Sequence, residues 1–213
     1  MPLFEQARIS ELVVGGGAQN WASIGITFNQ GNCAALGDVV LRLDPSLQPG
    51  LHSWVLQGAD VNVATIDGVS TTHVIDESHE STFPQSGFDL GVVGVDHVVI
   101  NTPDLMRTSN ALVAATGAPL KRVRDAGNNV QQGFHRLGSV IVEIVSAPTM
   151  PQGHAALWGF VLNVKDIYAV ANHVGPDVLS IPKPAVQAGR LIATFRSSLG
   201  LGVPVALMGQ DTN

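Results

Sequence analysis

The feature that most constrains this chain is a repeat. His97-Val-Val-Ile-Asn-Thr-Pro-Asp104-Leu105 aligns without a gap on Gly159-Phe-Val-Leu-Asn-Val-Lys-Asp166-Ile167. A looser copy, Ser53-Trp-Val-Leu-Gln-Gly-Ala-Asp60-Val61, has the same apolar triplet and then an aspartate that opens a candidate helix. The partner strand repeats too: LGSVIVEI at 137–144 resembles LGDVVLRL at 36–43, and LGVPVAL at 201–207 is a weaker echo. ISELVVGG at 9–16 supplies a further first strand, with Glu11 where His97 sits. The chain therefore reads as four strand–helix–strands units, starting near residues 9, 52, 95 and 157. The last two are full length and the first two abbreviated.

Local signals fill in these units. A helix is predicted from Pro103, with Thr102 as N-cap and proline at the first helical position, where its missing N–H does no harm. Leu105, Leu112 and Val113 fall on one face, and Gly117 closes the helix. A second helix is predicted from Asp166 to His173, stopped by Gly175. Strand-like runs cover 95–101, 119–124, 131–137, 139–146, 157–164, 190–197 and 203–208, and Gly127-Asn128-Asn129 reads as a turn between two of them. DESHESTFPQSG at 76–87 is polar, contains proline and lacks periodicity, so it reads as a surface loop or linker.

Composition excludes several classes. With 213 residues, 45% of them hydrophobic, the chain can bury a substantial core as one large domain or two small ones. A net charge of −6, with 11 Lys+Arg and no basic run, argues against a nucleic-acid surface. Cys33 is the single cysteine, which rules out an intramolecular disulfide and fits a reducing compartment. The opening MPLFEQARISEL does not have the basic-then-apolar pattern of a signal peptide, and no apolar run approaches the ~20 residues of a membrane span. A cytoplasmic protein without nucleic-acid or membrane partners is expected. No GxSxG, HExxH, CxxC or phosphate-loop motif occurs.

Two ionisable side chains stand out on otherwise apolar strands. His97 shares a strand face with Val99 and Asn101, and Glu143 shares one with Ile141 and Val145. A carboxylate placed there needs a partner, because an unpaired buried charge costs several kcal/mol, roughly, or forces protonation. The plain reading is a hydrogen-bonded core histidine paired with Glu143. The functional reading is half of a metal site, for which His135, His154, Asn101 and Asn163 are candidate additional ligands. Arg190, Thr194 and Arg196 share parity on GRLIATFR, and with Arg136 they could present guanidinium groups to a carboxylate or phosphate. Trp54 and Trp158 read as core fillers and Cys33 as a small apolar one.

A tandem βαβββ unit, with an HVxxxxxD-type first strand and a VEI-type last strand, resembles the vicinal oxygen chelate superfamily, which includes glyoxalase I, methylmalonyl-CoA epimerase, extradiol dioxygenases and bleomycin-resistance proteins. The resemblance is most specific over 95–147, weaker over 157–208 and faint over 9–75. It implies an α+β fold of tandem βαβββ modules whose curled mixed sheets form a cup. An abbreviated pair with its linker would occupy 1–92, and a complete pair 93–213, its modules at 95–147 and 157–210. It also implies a divalent cation held by first and last strands, with His97 and Glu143 at two of the four ligand positions. The other two fall on Gly159 and on Ala206 or Leu207, whose side chains cannot bind a metal.

The expectation is thus a glyoxalase-like protein, of the bleomycin-resistance kind, that binds a small organic molecule, an anion being one option, in an apolar cup through His97, Asn101, Arg136, Arg190 and Arg196. It needs no cofactor beyond a weakly held Zn, Ni, Mn or Fe ion at an incomplete metal site. The alternative is a metal-dependent lyase, isomerase or dioxygenase with Glu143 as catalytic base. A third reading is an oligomerising scaffold whose cup is filled by its own side chains. The resemblance also implies a homodimer.

Overall fold

The computed structural model describes residues 7–58, 63–74 and 89–211. The expected linker at 76–87 and the helix-opening Asp60 lie outside the described residues. Among the described residues, strands and helices follow one another as four modules. The first is β1 (Arg8–Gly15), α1 (Gln19–Ala22), β2 (Cys33–Leu36) and β3 (Val39–Asp44), and the second is β4 (Gly50–Gln57), β5 (Thr65–Ile66) and β6 (Val69–Val74). The third is β7 (Val92–Thr102), α2 (Leu105–Thr116), β8 (Arg122–Asp125), β9 (Gln131–Leu137) and β10 (Val140–Ser146). The fourth is β11 (Ala156–Val164), α3 (Ile167–Val174), β12 (Lys183–Pro184), β13 (Arg190–Thr194) and β14 (Val205–Gln210). The last two have the βαβββ order expected from the sequence, and the strands belong to two mixed sheets.

The repeated aspartates at 104 and 166 turn out to be helix caps. Asp104 is extended, and its carboxylate accepts from the backbone N–H of Arg107 at 3.0 Å; Asp166 does the same for Ala169 at 2.9 Å. Each side chain satisfies one of the N–H groups that a helix start leaves without a partner. This corrects the expectation that Thr102 caps α2 with Pro103 as the first helical residue. The Thr102 hydroxyl instead accepts from the Asp104 N–H at 3.2 Å and lies 2.7 Å from the Thr108 hydroxyl. Gly117 ends α2 in the left-handed conformation, donating to the Val113 carbonyl at 2.8 Å. The buried stripe of α2 is Leu105, Thr108, Ser109, Leu112 and Ala115, and Val113 points outward. Thr108 and Ser109 take inward places because both find hydrogen-bond partners there.

The chain forms two compact units from separated stretches. The first comprises, of the described residues, 7–13, 51–58, 63–74 and 97–158; the second comprises 14–50, 89–96 and 159–211. In the first, β7 runs parallel to β10, and β9 and β8 follow β10 as an antiparallel meander. The parallel pair needs a long crossover, which α2, β8 and β9 supply. The β4–β6 pair is also parallel, with β5 hairpinned onto β6. Val98, Ile100, Leu137, Val140, Val142 and Ile144 form the face that α2 covers, and all are fully buried. The opposite face of the same strands is mostly half-exposed, which gives the alternating burial along β10. Trp54 fills the core as expected, its indole N–H donating to the Thr71 hydroxyl at 2.8 Å.

In the second unit β11 pairs parallel with β14, which pairs antiparallel with β13, and β12 closes the edge. Trp21 stacks on Phe160 with ring centroids 6.3 Å apart. The β2–β3 turn at Gly37 and the β9–β10 turn at Gly138 share the repeated Leu-Gly and a positive φ, 71° and 61°. β13 stops at Thr194, so Arg196 lies beyond the strand rather than on its face. Trp158 was expected in the core, but half of its surface is exposed.

Candidate functional site

Strand register lays out the open face of the first unit. Glu143 is paired with Val99 on β7 and with Phe134 on β9, and Phe134 is paired with Arg122 on β8. The next row along runs Asn101, Val145, Gln132, Arg124, and the row on the other side runs His97, Ile141, Arg136. Directly paired residues project to the same side of a sheet, so these side chains share one face. That face is opposite the one covered by α2, as the parity of His97 and Glu143 predicts.

His97 and Glu143 meet there. Imidazole Nε2 and carboxylate Oε2 are 3.4 Å apart, and the two side chains are 14% and 13% exposed. The other carboxylate oxygen accepts from the Gln132 side-chain amide at 2.6 Å. An ionised carboxylate offers only acceptors, which turns the amide nitrogen of Gln132 toward Glu143 and its Oε1 away. That Oε1 is buried and has no hydrogen-bond partner among the described residues. The row is thus a carboxylate bracketed by an imidazole and an amide, beside the Phe134 ring and the apolar Val99 and Ile141. An imidazole and a carboxylate this close can hold and pass a proton.

Does this donor set suit the divalent cation that the sequence resemblance implies? In the β7–β10 pair, His97 lies two residues before Val99, the residue paired with Glu143. In the β11–β14 pair, Gly159 lies two residues before Val161, which is paired with Ala206. Register therefore identifies Ala206, not Leu207, as the counterpart of Glu143. In the β4–β6 pair the same construction gives Ser53 and Thr72. One module of these three has strong donors at both places. Gly159 is closed to any side chain: a Cβ there would sit 2.4 Å from the Pro204 carbonyl oxygen. Among the described residues no three His, Cys, Asp or Glu side chains gather into a metal-holding group. His97 also engages Glu143, which in turn accepts from Gln132. Two protein ligands so occupied do not fit a resident divalent ion.

The other expected site residues are dispersed. Asn101 is half-buried on the open face. Arg136 is exposed on that face, and its guanidinium donates to the Ser139 carbonyl at 3.0 Å. Arg190, in the second unit, donates to the Asp96 carboxylate at 2.7 Å and to Gln187 at 3.0 Å, and also binds the Asn163 side-chain oxygen. Arg196 is exposed and donates to the Pro176 carbonyl at 3.2 Å. Asn163 is thus committed to Arg190, and His154 lies exposed in a loop beside Gly68.

His135 cannot supplement the pair, because it points to the covered face. It is 1% exposed, with ring nitrogens 3.0 Å from the Ala118 carbonyl and 3.0 Å from the Ser109 hydroxyl. A carbonyl only accepts, so Nδ1 carries the proton and the neutral ring accepts at Nε2 from Ser109. Burial lowers its pKa from the usual 6.5, against the opposing pull of the Ala118 and Pro119 backbone. Sequence reasoning passed over Gln132, Phe134 and Ser109. Strict alternation along β9 was the available signal: it puts Gln132, Phe134 and Arg136 on one side and His135 on the other.

No family model matches the chain, and no curated protein matches it. Among solved structures it is similar to methylmalonyl-CoA epimerase from Mycobacterium tuberculosis, at 15% identity, 56% of this chain, 89% of that chain and a TM-score of 0.47. It is similar to the Streptomyces coelicolor methylmalonyl-CoA epimerase in complex with 2-nitronate-propionyl-CoA, at 15% identity, with coverage of 57% and 96% and a TM-score of 0.46. A selenomethionine methylmalonyl-CoA epimerase is 19% identical, with coverage of 58% and 99% and a TM-score of 0.47.

Proposed function

We propose that this chain is a glyoxalase-like protein that binds a small organic molecule on the His97–Glu143 face of its first unit without a resident metal. The observation that carries the reading is the buried Oε1 of Gln132 beside an apolar floor of buried Val99 and half-buried Ile141 and Phe134. A buried acceptor without a donor costs about 1–3 kcal/mol, and a hydroxyl or amide N–H of a bound molecule would remove that cost. Val99, Ile141 and Phe134 would take its apolar body, His97 and Asn101 would orient it, and Arg136 would stand at the rim. Glu143, braced by Gln132, is the group placed to hold a proton against it. Arg190 and Arg196 act in this reading as braces of the second unit.

Native mass spectrometry of the protein as isolated, with methyl-resolved NMR of Val99, Ile141 and Val145 during a fragment screen, tests this. Well below one transition metal per chain is expected, with no loss of Tm on adding chelator. Fragments bearing a hydroxyl or amide should shift those methyls in the native chain and weaken in Gln132→Leu. Stoichiometric metal lost in both His97→Ala and Glu143→Gln would establish the metal-dependent enzyme instead. A face that no fragment reaches would favour the scaffold. The same spectra report whether the chain is a homodimer.

A further inference from the structure

The chain carries a net charge of −6, yet four of its 11 Lys and Arg residues lie between positions 121 and 136. Three of these, Arg122, Arg124 and Arg136, lie on the open face of the first unit by strand register. Arg122 stands over the Phe134 ring, its guanidinium carbon 5.0 Å from the ring centroid. Arg124 is directly opposite Gln132 and half-buried. Neither Arg122 nor Arg124 has an ion-pair partner among the described residues. The neighbouring carboxylate, Asp125, alternates to the other side of β8, where it accepts from the Gly127 N–H at 2.7 Å.

This arrangement is unusual for surface arginines in an acidic protein, which tend to pair with the excess carboxylates. Here Glu143, the carboxylate of the central row, is engaged by His97 and Gln132. Stacking on Phe134 restricts the Arg122 side chain, so less of its entropy remains to be lost on binding an anion. A guanidinium fork recognises carboxylate and phosphate oxygens in pairs.

We infer that Arg122 and Arg124 form an anion subsite at the β8 edge of the open face, and that the bound molecule is an organic anion. The inference rests on the proposed ligand face and names the chemistry of its second end. From Glu143 to Arg122 is two strand spacings, about 10 Å. The molecule therefore carries its hydrogen-bond donor and its carboxylate or phosphate at opposite ends of a flat apolar body, which lies along Phe134. Arg136 closes the side of the subsite, one row along.

The test compares benzoate and phenyl phosphate with the neutral isostere benzyl alcohol, binding being followed by the Ile141 and Val145 methyls and by the arginine side-chain Nε–H signals. Both residues sit on an edge strand outside the core, so the double variant Arg122→Gln/Arg124→Gln keeps the native Tm, measured as a control. At least one anion should bind about tenfold tighter than the alcohol, as two partly exposed charged contacts together allow. The double variant should reduce that anion to the alcohol's affinity and leave the alcohol unchanged, and Arg124→Lys should recover part of the loss. The arm that retains the advantage tells carboxylate from phosphate. Equal binding of anion and alcohol at the methyls overturns the subsite while leaving the ligand face standing. An anion advantage that survives the double variant overturns it as well, placing the charge recognition elsewhere.

Discussion

Replacing Gly159 with alanine tests why the fourth module lacks a ligand at the place where the third has His97. A Cβ at this position would lie 2.4 Å from the Pro204 carbonyl oxygen and 3.1 Å from the Pro204 Cβ, where ordinary contact begins near 3.4 Å. The chain must therefore open by about 1 Å between β11 and the start of β14. That carbonyl also accepts the Phe160 N–H at 3.2 Å, so the opening strains the first hydrogen bond of the parallel pair. Overpacking of this kind costs about 1–3 kcal/mol, and a weakened backbone hydrogen bond about 1 kcal/mol more. Against this, alanine restricts the unfolded chain by about 0.4–1 kcal/mol in favour of folding. The net expectation is a loss of about 1–3 kcal/mol. Gly94 is the matched control: it too lies in a first strand, and a Cβ there meets nothing within 4 Å. Gly94→Ala should be neutral or slightly stabilising. Urea denaturation of both variants gives the comparison as a shift in midpoint at constant slope. If Gly159→Ala proves as stable as Gly94→Ala, the steric account fails. On the present geometry Gly159→His should lose more stability than Gly159→Ala.

Three further expectations concern the first unit and the tryptophans. Burial lowers the His135 pKa below 6.5, so the unfolded chain takes up that proton first as pH falls. Its contribution to stability is complete above about pH 6.5 and is lost as pH drops from there through the folded pKa; His135→Phe should flatten the fall in Tm over that window, and an unchanged profile would refute the buried neutral ring. The Asp67 carboxylate, 7% exposed, accepts from Arg107 at 2.9 Å and from the Thr108 hydroxyl at 2.5 Å, so Asp67→Ala should destabilise by about 2–3 kcal/mol in urea, well beyond an ordinary surface change. Acrylamide should quench Trp158 readily and Trp21 and Trp54 hardly at all, and Trp158→Phe should abolish the accessible fraction.

Periodicity and the ungapped repeat made much of this fold legible before any coordinates. β9 was expected at its observed bounds, and the Asp104 and Asp166 alignment marked two equivalent helix starts. What failed locally failed for identifiable reasons. Thr102 and Asp104 are both good caps, and only backbone geometry decides between them; the carboxylate at 104 reaches the Arg107 N–H while the Thr102 hydroxyl turns toward Thr108. Val113 and Trp158 are as apolar as their buried neighbours, and nothing in a single sequence reports which of two adjacent positions the sheet covers.

The candidate site divides in the same way. Alternation along a strand is a covalent property, so the sequence alone determined that His97 shares a side with Val99 and Asn101, and Glu143 with Ile141 and Val145. Which strands lie side by side, and at what offset, depends on packing and hydrogen bonds between distant segments. Tertiary structure alone therefore decided that Glu143 meets both His97 and Gln132, that His135 is sealed beneath α2, and that Arg122 and Arg124 join their face. It also decided that Ala206 is the counterpart of Glu143, because a one-residue change of register would have put Leu207 there and turned it to the opposite side.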